Sequence, residues 1–267
     1  MPVKLALFLL FVLPLGAETK LAVRAGEAFT FKVSWAVLLG AGEIKVSATE
    51  DSTAASPRLR VITNTRTRGF ARALLSFDAK AESVVDPATG RMLSHQESSE
   101  QRNKKTDHSV AFDYAARQAL YSTPESTEAP RQLAMPAGDP LDLITSLIQT
   151  RTWDLKPGEK RDALVLFGDD FYELTIYAER YEEVRTSLGT FNTLVLQPRM
   201  EKTAPKGMFK KGSTVRVWIS QDGQRLPVRF EVEFKIGTGV ATLTNYEAPP
   251  KARPAPSFSA DAKNPHP

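Results

Sequence analysis

Apolar and polar residues alternate along most of the chain, the period-two pattern of strands that bury one face. Phe29, Phe31, Val33 and Trp35 alternate with Thr30, Lys32 and Ser34, and beyond Gly40 and Gly42 the alternation resumes at Ile44, Val46 and Ala48. This predicts a hairpin that turns at the glycines. Residues 59–63 predict a third strand. Over 70–77 the pattern turns irregular, and a short helical turn fits as well as a strand. Residues 83–86 run into a turn at 87–90, followed by a strand from Met92, and Val110, Phe112 and Tyr114 mark another. Residues 101–107 are charged and expected to be solvated. The segment 122–136, with three prolines, reads as a connection.

One helix is expected, beginning at Asp139 as N-cap with Pro140 in its first turn and Asp142 close behind. Leu143, Ile144, Leu147 and Ile148 then share a face at helical spacing, up to about Arg151. Strand patterns return at 164–167 and 171–177, around the turn residues Gly168, Asp169 and Asp170. They continue at 191–196, 215–220, 228–236 and 240–246. Asp222-Gly223 is a pair that closes hairpins with positive φ. Val228, Phe230, Val232, Phe234 and Ile236 face one way, Arg229, Glu231, Glu233 and Lys235 the other. The fold class is therefore all-β, mainly antiparallel: a curved sheet, partial barrel or sandwich with one amphipathic helix.

Residues 1–17 have a different pattern: Lys4, an apolar run over 5–15, then Gly16-Ala17. This is the order of a cleavable secretory signal, and the run is shorter than a membrane span. Residues 18–247 form a single β-rich domain, and 248–267, rich in proline, is expected to be disordered. A periplasmic location follows from the signal. The 267 residues contain no cysteine, so a domain exported to a disulfide-permissive compartment relies on packing alone, and a lipid anchor on an N-terminal cysteine is not expected. Thirty-five Lys+Arg against 31 Asp+Glu leave a net charge of +4, too diffuse for a nucleic-acid partner.

Candidate chemistry is sparse. His95, His108 and His266 show no metal-ligand spacing and are expected to be exposed, so neither metal nor cofactor is predicted. No nucleophile elbow or phosphate-binding glycine loop occurs. The acid pairs Asp169-Asp170 and Glu182-Glu183 point to different sides of their strands and suit turns better than glycoside cleavage. In the lysine-rich loop 201–212, Lys202, Lys206, Lys210 and Lys211 surround Met208 and Phe209, which fits an anionic ligand or a phospholipid surface; the favoured reading is a solvated hairpin loop whose Phe209 tucks back onto the domain. Trp218, sharing a strand face with Arg216, fits either core or ligand lining. Trp218, Arg216, Leu147, Lys206, Phe209, Lys210 and Lys211 are the candidate ligand-binding residues.

The stretch 26–35 (Gly-Glu-Ala-Phe-Thr-Phe-Lys-Val-Ser-Trp), with Gly40-Ala41-Gly42 after it, resembles the opening of domain-of-unknown-function family 3108. The run 217–228 (Val-Trp-Ile-Ser-Gln-Asp-Gly-Gln-Arg-Leu-Pro-Val) resembles that family's closing signature, with Ile236-Gly237 and 241–243 in place behind it. Asp139-Pro140 and Lys156-Pro157-Gly158-Glu159 sit where the family has them, so the resemblance covers about residues 26–246. It implies an exported β protein and brings no reaction, cofactor or catalytic residue. The function expected is a non-catalytic periplasmic protein that binds an envelope component, lipid or glycan, in a β concavity, with peripheral membrane contact compatible. The alternatives are an enzyme acting on envelope polymers, which needs carboxylates converging from separate strands, and an interaction module for envelope proteins. Oligomeric state is left open.

Overall fold

The computed structural model describes residues 21–51, 56–102, 104–124, 127, 129–235 and 237–250. Residues 1–17, read from the sequence as a signal, and the tail from 251 lie outside the described residues. Among the described residues, fifteen strands join one sheet. The first half comprises β1 (Ala28–Trp35), β2 (Leu38–Glu50), β3 (Leu59–Thr67), a short helix α1 (Gly69–Leu74), β4 (Phe77–Val85), β5 (Met92–Gln101), β6 (Lys104–Asp113), β7 (Gln118–Ser122) and β8 (Arg131–Ala134). The second comprises β9 (Leu141–Asp142), helix α2 (Leu143–Gln149), β10 (Lys160–Phe167), β11 (Asp170–Thr186), β12 (Gly189–Arg199), β13 (Thr214–Ser220), β14 (Pro227–Phe234) and β15 (Gly237–Glu247).

Each half is an antiparallel meander, and β1 pairs with β15 to join them; only β9, beside β10, runs parallel to its neighbour. The free edges, β8 and β9, are consecutive in the chain. Seven residue steps from Ala134 to Leu141 reach at most about 25 Å. The sheet therefore has to curl. Side chains draw the edges together: Arg131 pairs with Asp169, Arg91 with Asp139 at 3.2 Å, and the Phe112 and Phe171 rings stand 6.4 Å apart. The expected curved sheet or partial barrel is what forms, as one sheet rather than two stacked ones.

The main core runs around the curl, with Phe29, Phe31, Val46, Val61, Val85 and Leu243 buried. A second cluster joins Leu143, Leu147 and Trp153 to Leu174, Ile176, Leu196 and Val217 of β11–β13. Helix α2 separates the two, since Ile148 belongs to the main core. Burial of each such large side chain stabilises by about 1.5–3 kcal/mol.

Four local expectations are corrected. The first hairpin turns at Ala36-Val37, where Ala36 has φ 48, while Gly40 and Gly42 lie within β2. A Cβ on Gly42 would stand 2.9 Å from the Arg66 carbonyl oxygen, so the glycine serves the approach of β3. Residues 131–134, read as connection, form β8, because they are needed as an edge on β7. Helix α2 starts three residues later than expected: Leu141-Asp142 pairs with β10, and it is Asp142 that accepts the Thr145 N–H as cap, at 3.0 Å. Finally, the Asp222 carboxylate accepts from the N–H groups of Gln224 and Arg225, and the positive φ (48) falls on Arg225 rather than on Gly223.

Candidate functional site

The residues singled out from the sequence fall into three places. Trp218 is buried in the main core with Arg229 stacked 4.8 Å above its ring. Arg216 is paired with Glu231 and Glu233 at 3.3 and 3.5 Å. Leu147 and Phe209 both join the second apolar cluster, so the loop does tuck its phenylalanine onto the domain. Lys206 binds Asp170 at 3.2 Å and lies over the Tyr172 ring, which raises its pKa; Lys210 and Lys211 are exposed. The space that Leu143, Tyr172, Met208 and Phe209 enclose is about 20 Å³. That is room for about one water.

The large concavity lies elsewhere. A groove of about 950 Å³ opens over β2–β7. Thr65, Ala79, Ser99 and Thr106 face one another across β3–β6 as one rung, with Ser99 Oγ and Thr106 Oγ1 2.6 Å apart. Tyr121 and His108 form one wall, their rings stacked at 5.4 Å, and Arg131 stands over the Tyr121 ring at 5.2 Å. Four basic residues (Lys45, Arg66, Lys80, Lys105) stand against four acidic ones (Glu43, Asp78, Glu100, Asp107).

Behind His108 lies a buried polar cluster. His95 and Glu97, two apart on β5, share a face, and Glu97 is the direct cross-strand partner of His108 on β6. Glu97 Oε2 is 3.8 Å from His95 Nε2 and 3.9 Å from His108 Nε2. Contrary to expectation, His95 is only 3% exposed. It is held from behind: Nδ1 lies 2.9 Å from Ser83 Oγ, which donates to Asp142 Oδ2 at 2.8 Å. Glu97 is held below the usual carboxylate range, chiefly by the His95 ring and against the effect of burial. Burial lowers the pKa of His108, opposed by the charge of Glu97. Its buried Nε2 has no hydrogen-bond partner among the described residues. The i, i+2 pair on β5 was the signal available in the sequence; the β6 register and the Asp142–Ser83 support were not.

The acid pairs are engaged elsewhere. Asp169 and Asp170 bind Arg131 and Lys206, and Glu182 binds Arg180 at 2.5 Å.

A single antiparallel sheet curled on itself places the domain among β-barrel-like proteins. It is similar to the crystal structure of a β-barrel-like protein of domain of unknown function DUF1849 from Brucella abortus, with TM-score 0.54 and 8% identity over 84% of this chain and 98% of that one. The hypothetical protein CT021 from Chlamydia trachomatis also matches, at 8% identity and TM-score 0.34 over 87% of this chain and 92% of its own. No curated protein matches. The chain belongs to the family described as protein of unknown function DUF3108, which matches residues 30–244.

Proposed function

We propose that this is an exported, non-catalytic component of the cell envelope that binds an uncharged, hydroxyl-rich ligand, a glycan, along the groove over β2–β7. The contrast between two spaces carries this reading. Ligand sites occupy about 300–1,000 Å³. The polar groove has about 950 Å³, whereas the apolar space beside α2 has about 20 Å³ and cannot take an acyl chain. The groove's four positive and four negative side chains cancel, which disfavours phosphate-rich ligands and leaves hydroxyl and amide groups to pair with a sugar. Tyr121, held by His108 and Arg131, lines the groove with a ring edge and a hydroxyl that can pair with a sugar.

The test is calorimetric titration of the mature protein with soluble envelope oligosaccharides. Saturable binding is expected, weakened about tenfold by Tyr121→Ala, a loss of 1.4 kcal/mol. Binding indifferent to Tyr121→Ala and Asn64→Ala, or a preference for fatty acids, would reject the groove.

A second reading, peripheral contact with a membrane, rests on a different surface. The tip of the β1–β2 hairpin and α1 expose Val37 (90%), Leu39 (89%), Phe70 and Leu74 together. Among the described residues no helix is long and apolar enough to cross a membrane. Co-sedimentation with anionic vesicles, abolished by Val37→Ser with Leu39→Ser, is the expected result.

A further inference from the structure

We propose that His95, Glu97 and His108 bind a zinc-type divalent cation, with the two Nε2 atoms and a Glu97 carboxylate oxygen as ligands. The inference rests on the geometry of this cluster and does not require the glycan reading.

The donor atoms lie within 4.8 Å of one another. Around a tetrahedral zinc, with bonds of about 2.0–2.2 Å, ligand atoms stand roughly 3.3–3.5 Å apart. Two of the three separations, 3.8 and 3.9 Å, exceed that by about half an ångström. Glu97, with its side chain 39% exposed, can close those two gaps. The third, between the imidazole nitrogens and within 4.8 Å, has to close by rotation of His108, 12% exposed against 3% for His95. The set of two histidines and one carboxylate is one that zinc accepts while keeping a fourth position open, here beside the groove wall formed by His108.

The hydrogen-bond chain behind the cluster assigns the tautomer. Ser83 has one hydroxyl hydrogen and gives it to Asp142, so the contact between Ser83 Oγ and His95 Nδ1 has to be donated by the imidazole. Nδ1 therefore carries a hydrogen, and in the neutral ring Nε2 presents its lone pair toward Glu97. His108 Nε2, buried and without a hydrogen-bond partner among the described residues, faces the same carboxylate. Two imidazole nitrogens and a carboxylate oxygen thus converge, and at 3.8 and 3.9 Å neither ring is within hydrogen-bond distance of the carboxylate. A cation resolves that arrangement, and a carboxylate-supported histidine is the usual outer shell of a zinc ligand.

The experiment uses the full chain, free of any added tag and stripped of metal with a chelator. Titration with zinc chloride should show one equivalent bound, and cobalt(II) in its place should give visible bands of four-coordinate intensity. Glu97→Gln and His108→Gln should each weaken zinc by at least about tenfold and lose the cobalt bands. Ser83→Ala, which frees the His95 tautomer, should weaken zinc by about 10–100-fold. Melting temperatures of the metal-free variants establish that they fold. If His108→Gln does not fold, Glu97→Gln, altered at a partly exposed atom, decides alone. Absence of stoichiometric zinc in the wild type would overturn the proposal. So would wild-type affinity in folded Glu97→Gln, which would move the binding elsewhere, to His266 for example.

Discussion

Replacing Arg151 with methionine removes one charge from the most enclosed ion pair in the domain while keeping the apolar stem. Glu27 is fully buried, Arg151 is 5% exposed, and Nη1 donates to Glu27 Oε1 at 2.7 Å. The same guanidinium donates to the carbonyls of Ala22, Arg225 and Gln224 at 3.3, 3.1 and 2.6 Å, and sits 5.4 Å above the Phe29 ring. It thereby fastens the turn after α2 to the N-terminal segment and to the β13–β14 connection. Breaking a buried pair by removing one partner costs about 3–5 kcal/mol, because a charge is left without compensation. Glu27 keeps the Tyr246 hydroxyl at 2.7 Å, the Arg24 N–H at 3.0 Å and a longer ion pair to the half-exposed Arg24 guanidinium at 3.4 Å, so the loss should fall near the lower end, about 3 kcal/mol. For a domain of this size that lowers Tm by roughly 6–12 °C. Urea denaturation of wild type, Arg151→Met, Glu27→Gln and the double variant closes a cycle, in which a coupling of at least about 2 kcal/mol is expected. Arg151→Met within about 1 kcal/mol of wild type would refute the reasoning, since the pair would then be behaving as an exposed one.

Gly42→Ala should destabilise by about 1–3 kcal/mol in the same denaturation assay, because its Cβ meets the Arg66 carbonyl at 2.9 Å; an unchanged midpoint would mean that β3 shifts freely. Asp142→Ala removes both the α2 cap and the acceptor of Ser83, and should cost about 1–3 kcal/mol, with Asp142→Asn recovering part of it. Burial, helped by Asp139, pushes the Tyr114 phenol up to about 12, and its hydroxyl donates to the Met92 carbonyl at 2.9 Å. A folded pKa above the unfolded one gives stability that is complete below about pH 10 and is lost as pH rises toward 12. Denaturation at pH 8 and 11 should therefore show an alkaline loss in wild type that is smaller in Tyr114→Phe, the remainder coming from Tyr121 and Tyr246, which burial also raises; equal losses would place Tyr114 in water.

Strand existence was legible because a half-buried strand prints its burial at every second residue: Phe29, Phe31 and Val33, or Val228, Phe230 and Val232, need no partner to be recognised. Register was not, since it depends on turns whose geometry the glycines misreported. Gly42 suggested a turn, yet it is there because another backbone passes close to it. Asp139-Pro140 offered a sound helix start, but pairing of Leu141 and Asp142 with β10 took those residues first. The candidate site shows the same limit. His95 and Glu97 were visible as neighbours on one strand face, whereas His108 joins them only through the β5–β6 register, and Asp142 reaches Ser83 across 59 residues. Burial of His95 follows from that distant support and leaves no trace in local composition.

The pairing of β1 with β15 also governs the order in which the chain can finish folding. As the chain emerges N-terminus first, β1 gains β2 at once, but its other edge waits for a strand more than 200 residues later, from Ala28 to Glu247. Until then Phe29 and Phe31 sit on an open ladder, the condition in which strand edges recruit foreign chains. Every other adjacent pair in the sheet is formed between strands consecutive in the chain. A circular permutant that joins the end of β15 by a linker to residue 21, keeping Glu27, and opens between Ala134 and Leu141 would bring that single distant pairing close in sequence. Its strands would then pair in the order of synthesis, and it should refold faster than the natural order allows.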